Sequence, residues 1–310
     1  MTRTESDAPL ALRRILVALD ADALASNAIP AACRLARESG ARVEFVHAVE
    51  PPGPVMQVVE ALRAIPKGGD VLAGVRDVVV SRVRHAFEEH GVTDLKAEEV
   101  VDVVSGRPAS AILARAIETK ADLIVLGALR GRKLVDFGST ARAILAHAPC
   151  AIWVQPSPVT PIRTILVPYD MSDESRRART TACELARRSG ARVRVIHVFD
   201  SSAFLGGLAL DGVNLAEILE ERSRAVRREF EEHMASADWN GVAHEHEFVD
   251  GSPADTIHQA ERAADLVVMG THGLTGLSAA LIGSVTYSVL KHATRPVLVV
   301  REPQRRFPHG

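Results

Sequence analysis

Short apolar runs alternate along the chain with longer segments in which apolar residues recur every three or four positions. In the C-terminal half the runs fall at 164–168, 192–198, 243–249, 266–269 and 296–300, and the helical periodicity at 174–189, 214–236, 254–263 and 284–293. The N-terminal half carries runs at 14–19, 42–48, 97–104, 122–126 and 151–154. A run such as Leu266-Val267-Val268-Met269 is apolar at every position. That is the pattern of a strand buried on both faces of a parallel sheet. Regular strand–helix alternation predicts a doubly wound α/β fold.

The pattern occurs twice. Arg13-Arg-Ile-Leu-Val-Ala-Leu-Asp20 matches Arg163-Thr-Ile-Leu-Val-Pro-Tyr-Asp170, and LARESGARV from Leu35 matches LARRSGARV from Leu185, both at an offset of 150 residues. ADLIVLG from Ala121 matches ADLVVMG from Ala264 at an offset of 143, and GSTARAIL from Gly138 matches GSVTYSVL from Gly283 at 145. The last change of offset falls inside one loop, which is two residues shorter in the first copy. The three prolines of PSPVTP, residues 156–161, mark the linker. The expected architecture is two tandem doubly wound domains, 10–156 and 161–303. Each has a five-stranded parallel sheet of order 3-2-1-4-5 flanked by helices.

Composition narrows the function classes. The chain is 310 residues long, 47% hydrophobic and 25% charged, with a formal net charge of −2. Scattered basic residues balanced by acidic ones give no footprint for nucleic acid or an anionic membrane. The N-terminal stretch has no apolar signal core and no 18-residue apolar run occurs, so a cytoplasmic location with no membrane contact is expected. Cys33, Cys150 and Cys183 form no metal spacing. Cys33 and Cys183 hold equivalent places in the two copies and read as small buried residues.

The candidate chemistry gathers at two places in the second copy. GTHGLTGLSAALIGSV, residues 270–285, follows the fourth strand and holds four glycines before a helix begins near Ser284. Glycines let backbone N–H groups curl around an anion, and the free amides and positive end of the helix face the same spot. A phosphate is the natural occupant. Asp170 follows the first strand. It or Ser172 also suits a helix N-cap. With the order 3-2-1-4-5, Asp170 and Gly270 lie on the two lips of the crevice where the strand order reverses, the place where open parallel sheets bind ligands. No Walker-type Gly-x-x-x-x-Gly-Lys-Ser/Thr sequence is present, and no Gly-x-Gly-x-x-Gly follows the first strand.

Gly270-x2-Gly273-x9-Gly283-Ser284 resembles the nucleotide-binding signature of the universal stress protein family, in its ATP-binding branch. The resemblance extends to the Ile-Leu-Val-Pro-x-Asp opening, Ile196-His197-Val198, Val249-Asp250-Gly251-Ser252-Pro253 and Arg295-Pro-Val-Leu-Val-Val. It implies ATP, with Mg2+, as cofactor. Asp170 would hydrogen-bond the adenine or ribose side with Pro168 and Tyr169 near it, and Val198 would meet the adenine edge. Met269 and Gly270 would floor the ribose. Gly273, Gly283 and Ser284 would bind phosphates with Val285 and Thr286 adjacent, and His272 would either touch phosphate or face solvent. The first copy keeps Asp20, Gly127, Gly138 and Ser139 as weaker counterparts. Ala48 replaces the valine, Arg130 the second glycine, and Asp136 adds a carboxylate beside the expected phosphate. It is expected to bind ATP weakly or not at all.

The family resemblance implies an ATP-binding stress or signalling regulator with an unidentified protein partner. Near the loop the sequence offers no evident general base with an orienting partner, so no catalytic residues are expected. A slow ATPase or a nucleotide-free scaffold are the alternatives. Strand 151–154 pairing with strand 297–300 would make the tandem an intrachain pseudo-dimer; further homodimerisation is left open. His244-Glu245-His246-Glu247 has the composition of a metal site, but alternation in a strand splits it between two faces, so it reads as the polar end of an edge strand. Phe204–Gly212 reads as either a lid or a packing loop.

Overall fold

The computed structural model describes residues 10–19, 27–50, 71–127, 139–202, 215–271 and 282–301. The chain divides into two compact units, Ala11–Val159 and Thr160–Glu302.

In the first unit the elements run β1 (Arg14–Leu19), α1 (Ala28–Ser39), β2 (Arg42–Val49), α2 (Val71–Glu89), α3 (Ala97–Val100), β3 (Val101–Ser105), α4 (Pro108–Glu118), β4 (Leu123–Gly127), α5 (Ser139–His147) and β5 (Ala151–Gln155). Its sheet order is β3-β2-β1-β4-β5, and each pairing within it is parallel. The second unit has β6 (Thr164–Pro168), α6 (Asp173–Ser189), β7 (Arg192–Phe199), α7 (Leu215–Ser236), β8 (His244–Asp250), α8 (Pro253–Ala260), a 3-10 turn (Glu261–Ala263), β9 (Leu266–Gly270), α9 (Ser284–His292) and β10 (Val297–Val300). Its order is β8-β7-β6-β9-β10, again parallel. Both units therefore have the order 3-2-1-4-5, and the expected fold is the observed one.

The apolar runs become the strands because they are buried on both sides. Every residue of β6, β9 and β10 is buried. One device fastens the start of the sheet in both units. Asp122 Oδ2 accepts the amides of Arg13 and Arg14, each at 2.9 Å. Asp265 Oδ2 does the same for Arg163 and Thr164 at 2.9 and 3.0 Å. The repeated Ala-Asp-Leu thus contributes a carboxylate that satisfies two amides before pairing begins.

One expected strand is corrected. Of the run 97–104, only the second half is extended: Ala97–Val100 forms one helical turn and the strand starts at Val101. Glu98 and Glu99 sit in the first turn, where carboxylates favour a helix N-terminus. Arg76 fixes the turn by donating to Glu98 O at 2.9 Å and Val101 O at 2.7 Å. Elsewhere boundaries shift by a few residues, as for the helix expected over 254–263, whose last turn is the 3-10 segment.

Candidate functional site

Order reversal puts β6 beside β9, with Ile165 and Leu166 opposite Leu266 and Val267. From β6 the chain crosses to β7 on one side, and from β9 to β10 on the other. The C-terminal ends of β6 and β9 therefore open a crevice between divergent crossovers.

Strand β6 stops at Pro168, so Asp170 lies two residues past its end, in the bend before α6. Asp170 Oδ1 accepts from the Ser172 amide at 3.1 Å and the Ser172 hydroxyl at 2.5 Å. Ser172, not Asp170, caps α6: its Oγ accepts from the Ser175 amide at 3.1 Å. Between them Met171 is buried at a φ of +68°, a left-handed conformation rare for a side chain of its size. The loop is thus a sharp, internally bonded bend, and Asp170 is its half-buried carboxylate.

Tyr169 is held from three sides. Its amide donates to Ile196 O at 2.9 Å. His197 Nδ1 donates to its carbonyl at 2.8 Å. Its hydroxyl is hydrogen-bonded to His233 Nδ1 at 3.0 Å. The ring is buried, 6.2 Å from Phe230. All its polar groups are engaged within the fold, so its part at the site is to position Asp170. Burial holds the His197 imidazole below its ordinary pKa, only partly offset by the Tyr169 carbonyl, so at neutral pH it is neutral and keeps its proton on Nδ1. In the first unit His47 Nδ1 bonds Leu19 O at 3.0 Å. These positioning histidines were not singled out from sequence. Their signal was the same histidine, near the end of strand 2, in both copies.

On the other lip, Gly270 ends β9 and is fully packed. A Cβ there would lie 2.6 Å from Glu174 Cβ and 3.1 Å from the Glu174 backbone carbonyl carbon. Glycine at this position lets the first turn of α6 sit against the end of β9, which gives it a packing role beside the expected ribose floor. Glu174, absent from the sequence-based candidates, is thereby brought to the crevice. Met269 is buried, opposite Val299.

The glycine loop is closed at its ends: Gly283 N donates to Thr271 O at 2.8 Å. Gly283 is the N-cap of α9, and its carbonyl takes the first helical bond, from Tyr287 N at 2.9 Å. The amides of Ser284, Val285 and Thr286 precede that bond and are the helix's free donors. Ser284 is exposed and Val285 half-buried. Buried Thr286 donates its hydroxyl to Gly270 O at 2.9 Å, tying the helix start to the strand end. Val198, half-buried on β7, overhangs the end of β6, since Pro168 pairs with Ile196. Of the expected residues, Pro168, Tyr169, Asp170, Val198, Met269, Gly270, Gly283, Ser284, Val285 and Thr286 lie at the C-terminal end of β6, β7 and β9 or at the start of α9. His272 and Gly273 lie outside the described residues, as do Phe204–Gly212, Asp20, Arg130, Asp136 and Gly138. In the first unit Gly127 ends β4, Ala48 is half-buried on β2 and Ser139 begins α5.

The other candidates are absorbed by packing. His244 stacks on Trp239 at 3.9 Å, and His246 Nε2 lies 2.8 Å from Glu231. Glu245 and Glu247 pair instead with Arg194, at 3.9 and 2.7 Å. The two faces of the strand separate the four residues, and among the described residues no group of three or more His, Cys, Asp or Glu could hold a metal ion. Cys33 and Cys183 are buried free thiols, with burial raising them to about 12 and about 11. No helix among the described residues is long and apolar enough to cross a membrane.

Comparison with known proteins places this geometry among relatives. The model of the universal stress protein family matches residues 11–156 and again 161–301. A universal stress protein of Methanocaldococcus jannaschii is 38% identical over 146 residues, 46% of this chain and 84% of its own. One from Mycobacterium tuberculosis is 28% identical over 240 residues, 73% of this chain and 77% of its own. The crystal structure of a universal stress protein from Archaeoglobus fulgidus superposes with a TM-score of 0.58 at 17% identity, covering 93% of this chain and 98% of that one; it speaks to the fold alone.

Proposed function

Because the chain belongs to the universal stress protein family, we propose that its second unit binds ATP in the β6/β9 crevice and works as a nucleotide-dependent regulator. The observation that carries this reading is the Thr271–Gly283 bond. It brings the two ends of the glycine loop together beside the free amides of α9, one strand away from the Asp170 bend. Backbone amides converging on a helix N-terminus suit a polyphosphate. Ser284 and the α9 amides would hold the phosphates, Asp170 a ribose or base donor, and Val198 the apolar edge of the base. Mg2+ would enter with the phosphates.

Binding is favoured over turnover. The described residues at the two ends of the loop, Gly270, Thr271, Gly283, Ser284, Val285 and Thr286, offer amides and hydroxyls. General acid–base catalysis needs a titratable group with an orienting partner at the reacting phosphate. Nucleotide occupancy would then act by its differential affinity for two states of the protein. The double substitution Gly273→Asp and Gly283→Val tests the site. Loss of ATP affinity by about two orders of magnitude or more is expected from a carboxylate and a blocked cradle; unchanged affinity sinks the assignment. Phosphate release from labelled ATP at ordinary enzymatic rates, of order one per second, would turn the reading to the ATPase alternative.

A further inference from the structure

At the opposite end of the first unit's sheet lies a cavity of about 530 Å³, lined among others by Arg14, Arg42, Arg76, Arg115, Glu44 and Asp102. It is within the size range of small-molecule sites. It opens at the N-terminal ends of β1 and β2, roughly 20 Å along β1 from that strand's C-terminal end.

The charges divide unequally. Arg115 holds the acids: its guanidinium is 2.5 Å from Glu44 Oε1, 3.4 Å from Asp102 and 3.0 Å from Glu118. Glu99 is paired with Lys96 at 2.9 Å. Arg76 is spent on two backbone carbonyls. Arg14 and Arg42 remain. They are register partners on adjacent parallel strands, both exposed. Arg14 donates Nε to Lys120 O at 3.1 Å. Asp122, near the Arg14 amide, is occupied by two backbone N–H groups. Neither guanidinium is paired with a carboxylate among the described residues. Their backbones lie on neighbouring strands about 4.8 Å apart, so two like charges rise from paired positions on one face, an arrangement that an anion bound between them would relieve.

The second unit is an internal control. Thr164 stands in the place of Arg14 and Arg194 in that of Glu44. There a single arginine faces a hydroxyl in place of the pair: Arg192 Nε donates to Thr164 Oγ1 at 3.1 Å, and Arg194 takes Glu245 and Glu247. The uncompensated pair belongs to the first unit.

We propose that Arg14 and Arg42 form the anchor of a second, separate ligand site that takes a small phosphate monoester. A single carboxylate has two oxygens and is filled by one guanidinium fork; a phosphate monoester presents three terminal oxygens and a double charge, enough for two forks. The rest of the cavity, with its fixed carboxylates and backbone carbonyls, offers acceptors to the hydroxyl groups of the organic part.

The test is isothermal titration of the full chain with ribose 5-phosphate, inorganic phosphate and citrate at physiological salt. Ribose 5-phosphate should bind, and the pair Arg14→Thr and Arg42→Gln should weaken it about tenfold or more. Arg192→Gln should leave the affinity unchanged. Both replaced side chains are exposed, and circular dichroism with a thermal melt checks that the double variant is folded. Failure of ribose 5-phosphate to bind overturns the proposal, as does citrate binding in its place. So does affinity that survives the double substitution but is lost in Ser284→Ala, since the ligand would then be in the nucleotide crevice. The nucleotide reading stands or falls separately.

Discussion

His197 shows how one buried side chain carries information between a strand and a loop. Its Nδ1–H fixes the Tyr169 carbonyl, Tyr169 sets Asp170, and Asp170 braces Ser172. Its depressed pKa means the unfolded chain takes up a proton before the folded one does. Stability from this group is therefore complete above its unfolded pKa, about 6.5. It falls as pH drops from there toward the lower folded value. Replacing His197 by Gln should lower the urea stability of the chain by about 1 kcal/mol at pH 8, for the lost buried hydrogen bond. It should also flatten part of the decline between pH 7 and pH 5. An unchanged slope would show that other histidines account for the pH dependence.

Between elements, the deciding contact is that of α6 on β9. The helix begins at a Ser172 cap with Asp173 and Glu174 in its first turn, where their charge suits the dipole. Its first turn sits against the end of β9 because residue 270 lacks a side chain. Gly270→Ala places a methyl 2.6 Å from Glu174 Cβ. Helix or strand must then shift, at a cost of about 1–3 kcal/mol. The same shift moves the Asp170 bend and the Thr286 anchor, so ATP affinity should fall together with the denaturation midpoint. A variant that loses neither would mean the backbone relaxes without strain.

For the whole molecule, the two units share a fold but not a surface. The second has the glycine loop closed by Thr271 and Gly283 and the bonded Tyr169; the first has Leu19 at the matching place and a shorter loop. Native mass spectrometry of the purified chain, with released ligand identified, should find one ATP per chain. Two would show that the shortened loop still binds. None after added Mg-ATP would favour a scaffold.

The sequence by itself determined the class and the repeat, because burial on both faces writes an uninterrupted apolar run and the helices between write a period near 3.6; the strand order 3-2-1-4-5 was an expectation that the sheet pairings bear out. It also marked both lips of the crevice, since a glycine cluster and an aspartate after strands are local signals. The tertiary structure decided what each residue does there. Asp170 braces rather than caps, Gly270 makes room for Glu174, and Tyr169 turns its ring into the core. The first half of the run at 97–104 is a helical turn, fixed by Arg76 from the preceding helix. The histidines that set the loop bond residues 28 positions away, and the arginine pair is made by strand register. Periodicity records which face of an element is buried; it does not record what lies against that face.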